Sequence, residues 1–202
     1  MKKFTIATSL SLVLTGSVFA NDTNWYMGVG VGQTNTDTQI SNTTGNAKLD
    51  EKDLGYKIFA GYKINKYVAT EIFYSDLGSS KLTGNNGDNF NYKGNTYQFT
   101  VDGAKIESNA ASFGISGVFS YPAHKYFEPF AKLGLQKWEY ELNATSATTA
   151  SATIKDDGVD ILYGAGFNVP IMESFSLRTE YEVYKFKDGD VNFLSVGLLY
   201  KF

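Results

Sequence analysis

The 202-residue chain contains no cysteine and a single histidine. Without cysteine it has no disulfide staple, no thiolate nucleophile and no Cys-based metal site, and one histidine cannot build a His-based metal site. Long apolar runs are missing too: after residue 20 none is long enough for a transmembrane helix. Charge is sparse, at 19% of residues, and mean hydropathy is slightly negative at -0.22. Together these exclude a polytopic helical membrane protein, while the 15% aromatic content argues against disorder. A soluble globule and a transmembrane β-barrel both remain, because alternating lipid-facing and lumen-facing residues average to middling hydropathy.

The amino terminus reads as a processing segment. Lys2 and Lys3 precede an apolar stretch from Phe4 to Phe19, and Val18-Phe19-Ala20 places small residues where a signal peptidase reads, so cleavage is expected between Ala20 and Asn21. This gives a cleavable signal peptide over 1–20 and one domain over 21–202. Loss of the two lysines leaves 16 basic residues against 21 acidic ones, a mature charge of -5. Nucleic-acid binding loses its electrostatic basis.

The mature chain carries eight segments of period-two patterning. They are Trp25 to Gly32, Leu54 to Tyr62, Tyr67 to Ser75, Ile106 to Phe119, Phe127 to Tyr140, Ile161 to Val169, a segment from Phe175 to Val183, and Leu194 to Phe202. One face of each is apolar with aromatics near its ends; the other is read as small or charged. Such glycine-rich opposite faces do not suit a soluble sandwich. They suit a narrow barrel in lipid, with an apolar outer band, aromatic girdles and small inward residues beside large inward charges. The connections alternate in length: Gln33 to Asp53, Asp76 to Lys105 and Glu141 to Asp160 are long, whereas Lys63 to Lys66, Ser120 to Tyr126 and Pro170 to Ser174 are short. Long loops on one rim and short turns on the other match the two sides of an outer-membrane barrel. Lys185 to Asp190 would be a short fourth outer loop. The expected fold is all-β, an eight-stranded antiparallel up-and-down transmembrane barrel.

On these residues the chain resembles the eight-stranded outer-membrane barrel superfamily that includes the OmpA-like transmembrane domain and the opacity-type porins. The resemblance covers about residues 21 to 202. Its most specific stretch is Leu54-Gly55-Tyr56-Lys57-Ile58-Phe59-Ala60-Gly61-Tyr62 followed by Tyr67-Val68-Ala69-Thr70-Glu71. The Trp25 to Gly32 opening and Leu177-Arg178-Thr179-Glu180-Tyr181 are also similar. The resemblance implies contact with outer-membrane lipid and lipopolysaccharide, and termini on the periplasmic side. It also implies that Tyr200 and Phe202 in the final strand are read by the barrel-assembly machinery. Ending at Phe202, the chain is not expected to carry the cell-wall-binding domain of full-length relatives. Val118 and Asn168 stand where the OmpA-like barrel has an inward lysine and an inward glutamate, so its gating charge switch is not carried over.

Glu71, Lys132, Arg178 and Glu180 fall on the inward face a few residues beyond short turns and should share one depth in the lumen. Lys57 and Glu182 should form a second layer nearer the other rim. Shielded charges of balanced sign must pair, giving either a gated, narrow ion path or a salt-bridged plug; an eight-stranded interior is wide enough for side chains alone, which favours the plug. Gly28, Gly30 and Gly32 lie within a strand without a following helix and are no phosphate cradle. His124 sits in a short turn without a serine and acid arrangement, so no catalytic residue is expected. Asp156, Asp157 and Asp160, with Asp50, Glu51 and Asp53, can bind Ca²⁺ or Mg²⁺ or bridge them to lipopolysaccharide phosphates; the simpler reading is a solvated acidic rim, so no metal or cofactor is expected.

The loops, with Asn85 to Tyr92 and Ala144 to Thr153, offer polar backbone and exposed aromatics, as surface cover or for a host or cell-surface ligand. The leading functional expectation is a non-enzymatic barrel with an envelope-structural or adhesion-type role. A porin-like channel gated by internal charge pairs, an envelope enzyme and a soluble periplasmic barrel are the competing classes.

Overall fold

The computed structural model describes residues 24–146, 151–187 and 189–202. The expected signal peptide and its Ala20/Asn21 junction lie outside the described residues. The strands are β1 (Trp25–Thr36), β2 (Ile40–Ser41), β3 (Lys48–Asp50), β4 (Lys52–Lys63), β5 (Val68–Gly84), β6 (Asn89–Tyr92), β7 (Asn95–Gln98), β8 (Ala104–Ser120), β9 (Glu128–Thr145), β10 (Ser151–Pro170), β11 (Phe175–Phe186) and β12 (Gly189–Lys201). In the main sheet β5, β4, β1, β12, β11, β10, β9 and β8 pair in that order, and β5 also pairs β8. That last pairing closes an eight-stranded antiparallel barrel, as the alternation predicts. Each barrel strand has at least 12 residues, enough to cross a bilayer at about 9–11 residues per tilted strand.

Burial follows the alternation. Ile58, Ile72, Leu133 and Leu198 stand 49–57% exposed on the outward face. A soluble barrel needed these residues buried, so that class is excluded. Outward aromatics flank this band: Tyr56 and Tyr62 on β4, Phe113 and Phe119 on β8, and Phe175 and Tyr181 on β11, each pair separated by roughly 20 Å of strand. This is the girdle arrangement of a lipid-facing wall.

Two expectations need correction. The inward face is not only small or charged: Tyr26, Phe59, Phe73, Phe130, Tyr184 and Phe193 turn inward and are buried together. Glycines make room for these rings. A Cβ on Gly28 would lie 2.2 Å from the Phe59 ring, and one on Gly61 2.2 Å from the Tyr26 ring. The long connections, moreover, are largely strand. β9 and β10 stay paired up to Thr145 and Ser151, and β5 and β8 up to Gly84 and Ala104. The wall made by β5, β8, β9 and β10 therefore rises well above its opposite side, by roughly 25 Å of strand between β10 and β1.

At Leu77 and Gly78 the β5–β8 register shifts. Gly78 takes a φ of 71°, which favours glycine, and Leu77 turns into the lumen. Asp53 Oδ2 accepts from both the backbone N–H and the hydroxyl of Ser79, each at 2.7 Å. Above this bulge β3 replaces β4 as the partner of β5. A second sheet, β2-β6-β7, lies over this end of the barrel. It turns tightly at Lys93-Gly94, both at positive φ, and it shares an apolar cluster of Ile40, Phe90, Leu82, Phe99 and Ile106 with the raised wall. Phe90 and Tyr92 are thus partly buried rather than simply displayed.

Because the inward glycines act as sockets for rings, Gly28→Val and Gly61→Val should each overpack the lumen. The expected loss is about 1–3 kcal/mol, read as a lower urea midpoint for the heat-sensitive folded band on gels. Unchanged midpoints would show that the rings can move aside.

Candidate functional site

The parity that points apolar residues outward sends six ionisable side chains into the lumen from four strands: Lys57 (β4), Glu71 (β5), Lys132 (β9), and Arg178, Glu180 and Glu182 (β11 for the last three). Three are flanked on both sides across the sheet by small residues: Gly30 and Ser75 beside Lys57, Gly61 and Ser116 beside Glu71, and Gly166 and Ser195 beside Glu180. All six are at most 3% exposed.

The structure brings all six into one connected cluster, rather than the two layers expected. Lys132 is its hub. Its Nζ lies 2.9 Å from Glu71 Oε2 and 3.2 Å from Glu182 Oε1, and it also pairs with Glu180 Oε1. Lys57 joins the same carboxylates, 2.5 Å from Glu180 Oε2 and 2.6 Å from Glu182 Oε2. Arg178 Nη1 donates to Glu71 Oε1 at 2.7 Å, and its Nε donates to Asn168 Oδ1 at 2.9 Å. Its guanidinium lies between the Phe59 and Phe130 rings, 4.6 and 4.5 Å from their centroids.

Three cations face three carboxylates, so the cluster carries no net formal charge. Desolvation costs several kcal/mol per ion, and close pairing with added hydrogen bonds is what offsets it. Those hydrogen bonds come from residues that sequence reasoning did not single out. Tyr26 donates to Glu71 Oε1 at 2.7 Å, and Tyr184 donates to Glu182 Oε2 at 3.2 Å while its hydroxyl lies 2.8 Å from Ser75 Oγ. Inward parity was the available signal, since Tyr184 continues the Glu180, Glu182 series and Tyr26 shares the Gly28 face. Asn168, read as a departure from the family pattern, holds the second edge of Arg178.

The remaining candidates do not converge on a site. Glu51 Oε1 accepts from Thr38, Asp160 Oδ2 from the Trp138 indole, and Asp157 pairs with Lys137 at 3.5 Å. Among the described residues no three His, Cys, Asp or Glu side chains are grouped to hold a metal ion. His124 stays in its turn, its Nδ1 accepting from the Tyr126 backbone at 3.4 Å. At the other end of the chain, Tyr200 packs on Phe175 and Phe202, and the Phe202 N–H donates to the Trp25 carbonyl at 3.2 Å.

A closed sheet with an apolar outer band, aromatic girdles and polar lumen defines an integral outer-membrane β-barrel. The OmpA-like transmembrane domain family matches residues 20–202. The chain belongs to that family and is a multi-pass outer-membrane protein of the Gram-negative envelope, in contact with its lipids and lipopolysaccharide. Outer membrane protein A of Salmonella typhi is 28% identical over 215 residues, covering 100% of this chain and 56% of the relative. The protein of the same name from Shigella flexneri is 29% identical over 219 residues, with the same coverage. The chain thus spans a little over half the length of these curated relatives.

Among solved structures, OprG of Pseudomonas aeruginosa superposes with a TM-score of 0.56 at 10% identity, covering 90% of this chain and 99% of its own. Ail of Yersinia pestis, crystallised with the heparin analogue sucrose octasulfate, gives 0.52 at 16% identity, covering 89% and 99%. At such identities the likeness is one of fold.

Arg178→Ala should strand the Glu71 carboxylate and destabilise the barrel by about 3–5 kcal/mol, measured by urea titration. The double variant Arg178→Leu/Glu71→Leu should lose less than the sum of the two single leucine variants. Additive losses would show that the two groups do not support one another.

Proposed function

We propose that the protein is a non-enzymatic outer-membrane barrel with a sealed bore, in an envelope-structural role joined to surface interaction at the rim opposite the termini. The observation that carries this reading is the neutral six-charge cluster, buried and braced by Phe59, Phe130, Tyr26 and Tyr184, which spends the width of an eight-stranded interior on side chains. The short turns Lys63 to Lys66 and Pro170 to Ser174 lie with the termini and face the periplasm; the raised wall and the β2-β6-β7 sheet face outward. Tyr200 and Phe202 serve as the signal for the barrel-assembly machinery, and Ala20/Asn21 is the cleavage junction.

The outer sheet supports an adhesion-type role. It stacks Tyr97, 47% exposed, on Phe90, and places Lys93 over Tyr92. Ail was crystallised with a polyanion, whereas acidic residues outnumber basic ones along the outer segments here. The ligand proposed for this chain is therefore a neutral or basic group on a host or neighbouring cell. A narrow ion path gated by the charge pairs is the competing reading.

Protein reconstituted in planar bilayers should show no discrete conductance steps, and Arg178→Ala should not remove any. Gly84 and Ala104 face each other across β5 and β8, so residues 85–103 can be replaced by a two-residue Asn-Gly turn. That variant should keep its heat-dependent gel shift but lose surface adherence of expressing cells. Ion-selective steps abolished by Arg178→Ala would establish the channel instead. Unchanged adherence to every tested surface would remove the outer sheet from the adhesive role.

A further inference from the structure

Above the sealed lumen, between the raised wall and the β2-β6-β7 sheet, lies a cavity of about 390 Å³. Its deep surfaces are hydrocarbon. Trp138 and Phe186, whose rings sit 5.2 Å apart, meet Leu82 and Ile106 of the wall and Ile40 and Phe90 of the sheet. Several of the polar groups among its linings already have partners. The Ser80 and Ser108 hydroxyls lie 2.6 Å apart, and the Trp138 indole donates to Asp160 at 3.0 Å. Such a surface gives water few partners. An apolar cavity of about 150 Å³ stays dry and binds benzene, and ligand pockets begin at about 300 Å³.

The outer edge is different in character. Asp37, Asp156, Asp190 and Lys187 line it, so carboxylates outnumber ammonium groups. Asp190 is neutralised by Lys185. Asp37 and Asp156 are exposed, and no described lysine or arginine is ion-paired with either. Both accept hydrogen bonds from nearby backbone: Asp37 from the Gln39 N–H and Asp156 from the Asp157 N–H, each at 3.0 Å.

We propose that this cavity is a binding site for a medium-sized amphiphile with an apolar body and a cationic head. The body packs against Trp138 and Phe186, and the ammonium faces the carboxylate-lined edge at Asp37 and Asp156. The site is separate from the charge cluster of the lumen and stands whether or not the outer sheet is adhesive.

The chain has two tryptophans. Trp25→Phe leaves Trp138 as the reporter, and (6-bromo-2-naphthyl)methylammonium serves as a heavy-atom quenching probe for the variant reconstituted in lipid nanodiscs. Saturable quenching of Trp138 is expected. Ala110→Phe, which fills the cavity from β8, should weaken it by about tenfold or more, with folding checked by the heat-dependent gel shift. If that variant does not fold, Ile106→Phe narrows the same space. The carboxylate analogue of the probe should bind about tenfold more weakly, and Asp37→Asn/Asp156→Asn should remove that preference. Quenching that never saturates, or that is unchanged by filling the cavity, would overturn the site. Equal or tighter binding of the carboxylate analogue would overturn the cationic head.

Discussion

Within the hydrocarbon of a bilayer no water is available to an unpaired backbone N–H or C=O, so a sheet can sit there only if it has no edge. The β5–β8 and β1–β12 pairings meet that requirement, and the rest of the molecule follows from them. Once eight strands are closed in a ring, each residue of a crossing strand faces either lipid or lumen. A slip of one residue would exchange the two sets, so parity is fixed around the whole circumference. Whatever is inward must then fill a space with room for side chains and little else. The neutral charge cluster and its aromatic braces are one solution to that packing problem, reached from five strands at once.

An all-hydrocarbon lumen would pack as well, since buried ion networks are not generally more stabilising than apolar replacements. It would, however, turn each strand into an uninterrupted apolar run. The inward Lys57, Glu71, Lys132, Arg178, Glu180 and Glu182 interrupt those runs on β4, β5, β9 and β11. The cluster also selects register. Lys132 on β9 meets carboxylates from β5 and β11, and Arg178 on β11 meets Glu71 on β5. A shifted strand would leave a buried charge unpaired, a far larger penalty than a misplaced methyl group.

This is why the membrane-crossing part of the fold, and the identity of its inward charges, were legible in the sequence. Lipid on one side and a tight lumen on the other impose a period of two that apolar residues display directly. Depth was less legible than face. Lys57 reads as a separate layer because parity says nothing of how far a four-carbon stem reaches along the bore, and its ammonium joins Glu180 and Glu182. The ring-accepting role of Gly28 and Gly61 was hidden for a similar reason, since the rings arrive from neighbouring strands. Above the girdle the signal fades. Ser151 pairs with Thr145 and Ala152 with Ala144 through backbone alone, and with water on both sides no alternation is enforced, so strand reads as loop.

The same change of environment explains why the outer end carries features that the crossing region cannot. Freed from lipid, β5, β8, β9 and β10 continue upward while their partners stop, and a wall without an opposite wall exposes its inner face. The β2-β6-β7 sheet covers part of that face with Ile40 and Phe90, but a short three-stranded sheet cannot reproduce the packing of a closed ring. Below, Trp138 and Phe186 cap the filled lumen. An apolar space bounded by a packed floor, a raised wall and a partial roof is therefore a geometric consequence of closing the barrel in the membrane and leaving it unclosed beyond.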